Sequence, residues 1–260
     1  WIAARKKHIS DLMAIDRWPE AVKNHLIANS NKENQINRAN SVLDATLDRP
    51  IENLSVLDFG CGDGWIARQA ALRGATSVVG YDVVKSDNWN TIQKVKFTDD
   101  INELKEESFD VIILYDVLDH CKDPVGVMQK VKSLLRFGQS IVYVRCHPWT
   151  SRHATHVYKQ GLNKAYVHLF LTQDEIREQI NGEEPLFTRP EKSPLEAYHW
   201  WFNDLKIIKE RIIKDEPLSS FFLVPSFKEL IVNEQQLKPN EVDKFFSDLE
   251  IQFIDFNLTL

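Results

Sequence analysis

The chain has 260 residues, 43% hydrophobic and 27% charged, with 9 Gly, 10 Pro, 3 Cys and a formal net charge of −6. That length allows one large α/β domain or two small ones, and the composition excludes disordered, collagen-like and low-complexity chains. Cys61, Cys121 and Cys146 make neither a disulfide framework nor a C-x-x-C pair. No apolar run is long enough to span a membrane and no charged-then-apolar leader opens the sequence, so a soluble, cytoplasmic protein is expected. The net charge hides an asymmetry. Residues 124–173 hold no Asp or Glu, yet carry seven bases (Lys130, Lys132, Arg136, Arg145, Arg152, Lys159, Lys164) and four His, so this block is +7 and the remainder −13. An anion-attracting surface is expected there; the alternative is bases scattered over unrelated faces. Arg145, Arg152 and Lys159 or Lys164 are expected to reach the site, with Lys130, Lys132 and Arg136 on a helix outside it. That is enough for a phosphate or carboxylate and too few for a long polyanion.

In chain order, residues 1–50 are predicted helical. Ile9, Leu12, Met13 and Ile15 keep helical spacing, and Gln35–Leu47 places Ile36, Ala39, Val42, Leu43 and Leu47 on one face before Pro50 stops the run. Four continuous apolar runs follow, at Ser55–Phe59, Ser77–Asp82, Phe109–Tyr115 and Ser140–Arg145. Continuous rather than alternating runs suit parallel strands buried on both faces. Between them, Trp65–Arg73 is a helix closed by Gly74, and Asp123-Pro124 is the N-cap and first position of a helix closing near Gly138. Thr172–Glu175 is a capping box for a helix ending at Asn181-Gly182; Ser193–Glu196 is a second box, for a helix to about Asn203. The alternation predicts a doubly wound, mostly parallel α/β sheet. Leu205–Ile213 and Ser219–Val224 read as two final strands forming an antiparallel edge pair. A helix near Asn240–Leu249 and a last strand Glu250–Leu258 come after, and no internal repeat is present. The expected organisation is a helical cap over 1–50, a core over 51–224 with a substrate insertion at about 146–203, and an extension over 225–260.

The informative stretch is Val56-Leu-Asp58-Phe-Gly60-Cys61-Gly62-Asp-Gly64-Trp65. A strand ends, three glycines alternate and a helix begins, so the backbone can approach a ligand beside free helix N–H groups. A dinucleotide loop would carry its third glycine where Trp65 stands. Asp82 closes the second strand 22 residues after Gly60, where a carboxylate can accept both hydroxyls of a ribose. Asp99-Asp100, then Phe109-Asp-Val-Ile-Ile-Leu, then Leu134-Leu-Arg-Phe-Gly138 follow in order. Together these landmarks resemble the class I S-adenosylmethionine-dependent methyltransferases, whose first motif is close to V-L-D-x-G-C-G-x-G, over about residues 36–224. The resemblance implies a seven-stranded Rossmann-like sheet with S-adenosylmethionine as cofactor. It places Asp58, Gly60, Cys61, Gly62 and Gly64 along the methionine part and Asp82 on the ribose. Asp99 or Asp100, with Ile101, would lie beside the adenine, and Leu114 and Tyr115 would close the pocket near the sulfonium. The family's usual Lys-Pro-Gly-Gly before the fifth strand is Arg136-Phe-Gly-Gln here.

Tyr115-Asp116-Val-Leu-Asp119-His120 resembles the E-V-L-E-H signature of a branch that includes ubiquinone-pathway O-methyltransferases and enzymes that 2′-O-methylate small-RNA 3′ ends. The resemblance makes Asp116, Asp119 and His120 the catalytic group, with His120 as general base or substrate contact. Some members hold a divalent cation there, which would use Asp116, Asp119, His120 and His168, with His147, His153 and His156 as rivals to the last. No metal is the preferred reading, because the shorter Asp side chains pull such a site inward. A zinc site from His147, His153 and His156 lacks a thiolate pair and a recognised spacing.

Beyond the fifth strand, Arg145, His147, Trp149, Arg152 and His153 suit an anionic or aromatic acceptor. On the Ser193 helix, Trp200-Trp201 point about 100° apart, so one packs inward and the other walls a pocket. Residues 184–194 are a lid or a dimer contact. The expected function is transfer of a methyl group from S-adenosylmethionine to O or N of a small anionic or aromatic acceptor. A metal-assisted O-methyltransferase on an RNA 3′ end or nucleotide is the alternative, and outside enzymes a cofactor-binding scaffold or regulator. Long duplexes and membranes are not expected partners, and the oligomeric state is open.

Overall fold

The computed structural model describes residues 2–15, 18–22, 31–152, 154–185, 195–202, 204–215 and 225–260. Its strands are β1 (Ser55–Phe59), β2 (Ser77–Tyr81), β3 (Lys96–Thr98), β4 (Val111–Tyr115), β5 (Ile141–Cys146), β6 (Lys206–Lys214) and β7 (Ile251–Thr259). They form one sheet in the order β3-β2-β1-β4-β5-β7-β6. The first five are parallel, with Asp58 beside Gly80 and Val56 beside Val111, and β7 runs antiparallel to β5 with Phe256 opposite Val144. Val56, Leu57, Val111–Leu114 and Val142–Val144 are fully buried, as continuous Val/Ile/Leu runs require when both faces are covered. The mixed seven-stranded sheet is thus the fold expected from the sequence. The last strand, expected over 250–258, joins the sheet between β5 and β6. The expected Ser219–Val224 strand lies outside the described residues, and the short β3, Lys-Phe-Thr, has no apolar run that could announce it.

The helices are α1 (Ile2–Met13), α2 (Lys32–Thr46), α3 (Trp65–Leu72), α4 (Pro124–Leu134), α5 (Gln173–Gln179), α6 (Ala197–Trp201), α7 (Pro225–Glu234) and α8 (Val242–Leu249). The caps act as their chemistry dictates. Asp123 accepts from the Gly126 N–H with Pro124 at the first helical position, and Thr172 and Glu175 exchange both bonds of a capping box. Gly74, at φ +91, follows α3. Helix α4 stops at Leu134 rather than running toward Gly138, because Leu135 turns extended to bridge Phe109. The Ser193 capping box lies outside the described residues, and of its helix α6 is the described part.

The chain divides into two compact units: residues 29–147, 193–212 and 253–260, and residues 1–28, 148–192 and 213–252. Each is discontinuous in sequence. The first holds β1–β5; α2 and α3 pack Val42, Leu43, Leu47, Ala67 and Ala70 on strand residues Val56, Val78, Val111 and Ile113. The second has its own core, in which Ile9 and Leu12 of α1 join Val167, Phe170, Ile176, Phe227 and Leu249. There Arg5 binds both oxygens of Glu175, donates to the Phe170 carbonyl and pairs with Glu234.

Candidate functional site

The glycine loop leaves β1 at its C-terminal end, the ligand-binding edge of a parallel sheet. Gly60, Gly62 and Gly64 all take positive φ, at +75°, +50° and +79°. A Cβ on Gly60 would stand 2.4 Å from Val117 Cγ2, and one on Gly64 2.6 Å from Phe97 Cζ, whereas one on Gly62 would meet nothing within 4 Å. Gly60 and Gly64 therefore answer to close packing, and Gly62 to open space. The Gly60 and Cys61 N–H groups both donate to the Tyr81 carbonyl, fastening the loop to β2.

Asp58 is buried, and its Oδ2 accepts the Ala67 N–H at 3.0 Å. It thereby caps α3, whose own N-cap, Gly64, has no side chain to do so. Burial pushes its carboxyl up to about 7, against the pull of the Ala67 N–H and with a further push from Asp82. Asp82 accepts the Gly62 N–H on Oδ2 at 2.8 Å and the Val84 N–H on Oδ1 at 3.1 Å. Burial also raises the Cys61 thiol, with Asp58 and Asp82 adding to the effect. Past β3, Asp99 pairs with Lys85 at 3.2 Å, while Asp100 caps the turn Ile101–Glu103 by accepting from Asn102.

At the end of β4, Leu114 is fully buried, Tyr115 is half-buried and Asp116 takes φ +56°, a conformation rare for a residue with a Cβ. Asp116 Oδ1 stands 3.2 Å from His147 Nε2. Asp119, buried in the turn Leu118–His120, accepts the His147 backbone N–H on Oδ2 at 2.5 Å. The two motif aspartates thus converge on His147, one on its ring and one on its main chain; His120 is exposed. Burial raises the Asp116 carboxyl, but the charge and hydrogen bond of His147, with Arg145 and Arg38, outweigh it and hold the group below its usual value.

Arg145 is engaged within the sheet. Its Nε and Nη2 donate to the two oxygens of Asp255 on β7, at 2.7 and 3.0 Å, and its guanidinium lies 3.9 Å from the Phe253 ring centroid and 5.1 Å from that of Tyr115. Arg211 adds a second cation to Asp255 at 3.2 Å. The same holds elsewhere in the acid-free stretch: Lys132 pairs with Asp204, Arg136 with Asp110, and, in the other unit, Arg152 with Asp215. Four of its seven bases meet acids from outside it. Arg38, exposed on α2, was absent from the sequence reading; its charge acts on Tyr115 and Asp116, and among the described residues it forms no ion pair.

Trp149 and His168 belong to the unit containing residues 148–192, where His168 Nε2 is 2.8 Å from the Trp149 carbonyl and the rings meet edge to face. His153 lies outside the described residues. Among the described residues no group of three His, Cys, Asp or Glu is placed to hold a metal ion. Among the described residues no helix is long and apolar enough to cross a membrane.

The sequence profile of a family described as "Methyltransferase domain" matches residues 31–184. Among curated proteins, the mitochondrial ubiquinone biosynthesis O-methyltransferase of Dictyostelium discoideum is 22% identical over 193 residues, 66% of this chain and 49% of that protein. That of Neisseria meningitidis serogroup C is 28% identical over 93 residues, 31% of this chain and 39% of its own length. The chain thus spans about half or less of the curated relatives it matches. A solved S-adenosylmethionine-dependent methyltransferase from Mesorhizobium loti superposes with a TM-score of 0.52 at 15% identity, covering 84% of this chain and 95% of that one. A coclaurine N-methyltransferase bound to N-methylheliamine and SAH gives 0.54 at 12% identity, covering 94% and 75%. Such identities speak for the fold. With the family profile covering more than half the sequence, the chain belongs to the methyltransferase domain family, and the solved S-adenosylmethionine-dependent methyltransferase is similar to it in fold.

Proposed function

We propose that the chain methylates a hydroxyl oxygen of a small acceptor that is aromatic rather than strongly anionic. The observation that carries this reading is the arrangement at the ends of β4 and β5: Asp116 and Asp119 hold His147, while Arg145 is neutralised by Asp255. A proton acceptor is provided for, and the arginine near the end of β5 is not free to meet an anion. The curated relatives' name, O-methyltransferase, supports oxygen as the target.

The residues present fit S-adenosylmethionine. The Cβ side of Gly62 is open, Asp82 offers a carboxylate at the end of β2, and the α3 N-terminus adjoins the loop. Gly60, Cys61, Gly62 and Gly64 would line the methionine part and Asp82 the ribose. Asp99 or Asp100, with Ile101, would flank the adenine, and Arg38 would meet the carboxylate. When bound, the cofactor supplies an activated methyl group on a sulfonium. The protein's remaining work is to align the acceptor oxygen and remove its proton. His147 takes that proton in this reading, its ring oriented by Asp116 and its main chain by Asp119, and His120 is a contact of the acceptor.

Titration calorimetry with S-adenosylhomocysteine tests the cofactor. Transfer of a labelled methyl group to catechol, benzylamine and benzoate, each with and without EDTA, then tests the acceptor. Catechol is expected to react and to be insensitive to EDTA. Transfer to benzylamine or benzoate alone would overturn the choice of oxygen, and abolition by EDTA would favour the metal-assisted alternative.

A further inference from the structure

The middle of the glycine loop is held from a side that no motif marks. Residues 61–64 form a turn closed by the Gly64 N–H donating to the Cys61 carbonyl at 2.8 Å. Gly62 has a positive φ and Asp63 does not, so only the second position of the turn needs glycine's freedom. In such a turn the central peptide, here Gly62–Asp63, is the soft unit: it can flip, exchanging the sides on which its carbonyl and N–H point, while the ends stay in place. The peptide is planar and trans, so fixing the carbonyl fixes the Asp63 N–H on the opposite side.

Trp89 makes that choice. It sits on a short 3₁₀ turn (Asp87–Thr91) after β2, and its indole N–H donates to the Gly62 carbonyl at 2.8 Å. One turn-residue earlier in contact, Ser86 Oγ donates to Asp63 Oδ1 at 2.6 Å. The indole itself has a firm seat. It stacks on Phe97 with centroids 5.1 Å apart and planes 10° from parallel. Phe97 in turn fills the space beside two glycines, because a Cβ on Gly80 or Gly64 would approach its ring to 2.4 and 2.6 Å. On the other side, Asp82 Oδ2 takes the Gly62 N–H. Both polar groups of Gly62 are therefore spoken for, and the indole governs the one that sets the flip.

We propose that Trp89 is a positioning residue for the cofactor, fixing the orientation of the Gly62–Asp63 peptide so that the loop is already set for S-adenosylmethionine. Ser86 assists by holding Asp63. The inference rests on the cofactor reading of the glycine loop and adds to it a residue outside every motif of the sequence. Removing the indole N–H leaves the Gly62 carbonyl only the Cys61 thiol, a weak donor at 3.8 Å, so the flipped orientation gains population. Binding then draws only on the correct fraction, and the apparent affinity drops by that fraction.

The test uses Trp89→Phe, which keeps an aromatic ring on Phe97 and deletes the donor. Calorimetry with S-adenosylhomocysteine is expected to show binding weakened about 3- to 15-fold, the order of one net hydrogen bond. Stopped-flow binding should place the loss mainly in the association rate, while the ligand-free melting temperature stays within ~2 °C of wild type. Equal affinity in variant and wild type overturns the proposal, as does a loss of affinity that is accompanied by an equivalent loss of fold stability with an unchanged association rate. If Trp89→Phe does not fold, Ser86→Ala decides, with about a 2- to 5-fold loss expected and no loss overturning it. A wild-type protein that does not bind S-adenosylhomocysteine at all refutes the cofactor reading instead, so the two failures are distinct.

Discussion

Replacing Asp58 by Asn should make the protein more stable at neutral pH, and increasingly so as pH rises. Asp58 is 1% exposed on β1. Its one described partner, the Ala67 N–H, donates to a single oxygen, so burial dominates and the carboxyl titrates near 7 instead of 3.8. Between those values the folded chain holds a proton that the unfolded chain has released. Stability therefore falls as pH rises through that window, from full strength below the unfolded value to its minimum above the folded one. A displacement of about 3 units at 1.36 kcal/mol each amounts to roughly 4 kcal/mol. Asn keeps the side-chain volume and an oxygen for Ala67, but has no charge to bury. The stability difference, Asp58→Asn minus wild type, should lie near zero at about pH 3, reach about 1 kcal/mol by pH 4.5 and climb toward about 4 kcal/mol by pH 8. Urea unfolding across that range, read from midpoints at constant m, measures it. A difference that stays flat with pH would refute the reasoning, because it would mean that Asp58 ionises in the fold as easily as in water.

The three loop glycines should separate by phenotype. Gly60→Ala and Gly64→Ala, which drive a Cβ into Val117 or Phe97, should lower unfolding stability by about 2–4 kcal/mol. Gly62→Ala should cost only about 1–2 kcal/mol of stability, for its positive φ, while weakening S-adenosylhomocysteine binding measured by calorimetry. Asp255→Ala strands Arg145 and Arg211 without their shared carboxylate and should cost about 3–5 kcal/mol in chemical denaturation. Asp116→Asn should slow methyl transfer about 10- to 100-fold in single-turnover assays, with cofactor affinity within about 3-fold of wild type.

Much of the fold was legible because local signals and tertiary structure agree. Asp123-Pro124, Thr172–Glu175 and Gly74 mark helix ends through bonds made within four residues, and the structure places each as its chemistry predicts. The parallel strands were legible because burial on both faces leaves no polar alternation to confuse with a surface strand. β3 was not, since a three-residue edge strand needs only a neighbour, here Val79–Tyr81, and no pattern of its own. The division into two units was equally hidden: α1 shares a core with residues more than 200 positions away, among them Phe227 and Ile231. In the site, Gly60, Gly62, Gly64 and Asp82 were visible as a spacing. Trp89 and Arg38 were not, because an indole N–H on a carbonyl and a lone cation on a helix leave no motif.

Charge was the feature that linear reading handled worst, and the reason bears on the acceptor. A stretch with seven bases and no acids looks like an anion-binding surface only if its neighbours in sequence are its neighbours in space. Here Arg145 finds Asp255 110 residues later, Lys132 finds Asp204 72 residues later, and Arg136 reaches back 26 residues to Asp110. The folded chain pairs those cations with its own carboxylates. Lys132–Asp204 and Arg136–Asp110 are exposed pairs of small net strength, whereas Arg145 and Asp255 are largely buried, and that pair cannot be given up to a ligand without stranding the acid. Of the two arginines whose charges bear on Asp116, Arg145 would meet a phosphate or carboxylate on the acceptor only by displacing Asp255, which leaves Arg38, whose charge also bears on Tyr115. If Arg38 serves the cofactor carboxylate, acceptor recognition falls to hydrogen bonding and ring contacts around His147 and Phe253, which stand edge to face at 5.9 Å. That chemistry favours a hydroxyl on an aromatic frame, and an acceptor series graded by charge at constant ring size should show turnover falling as each anionic group is added.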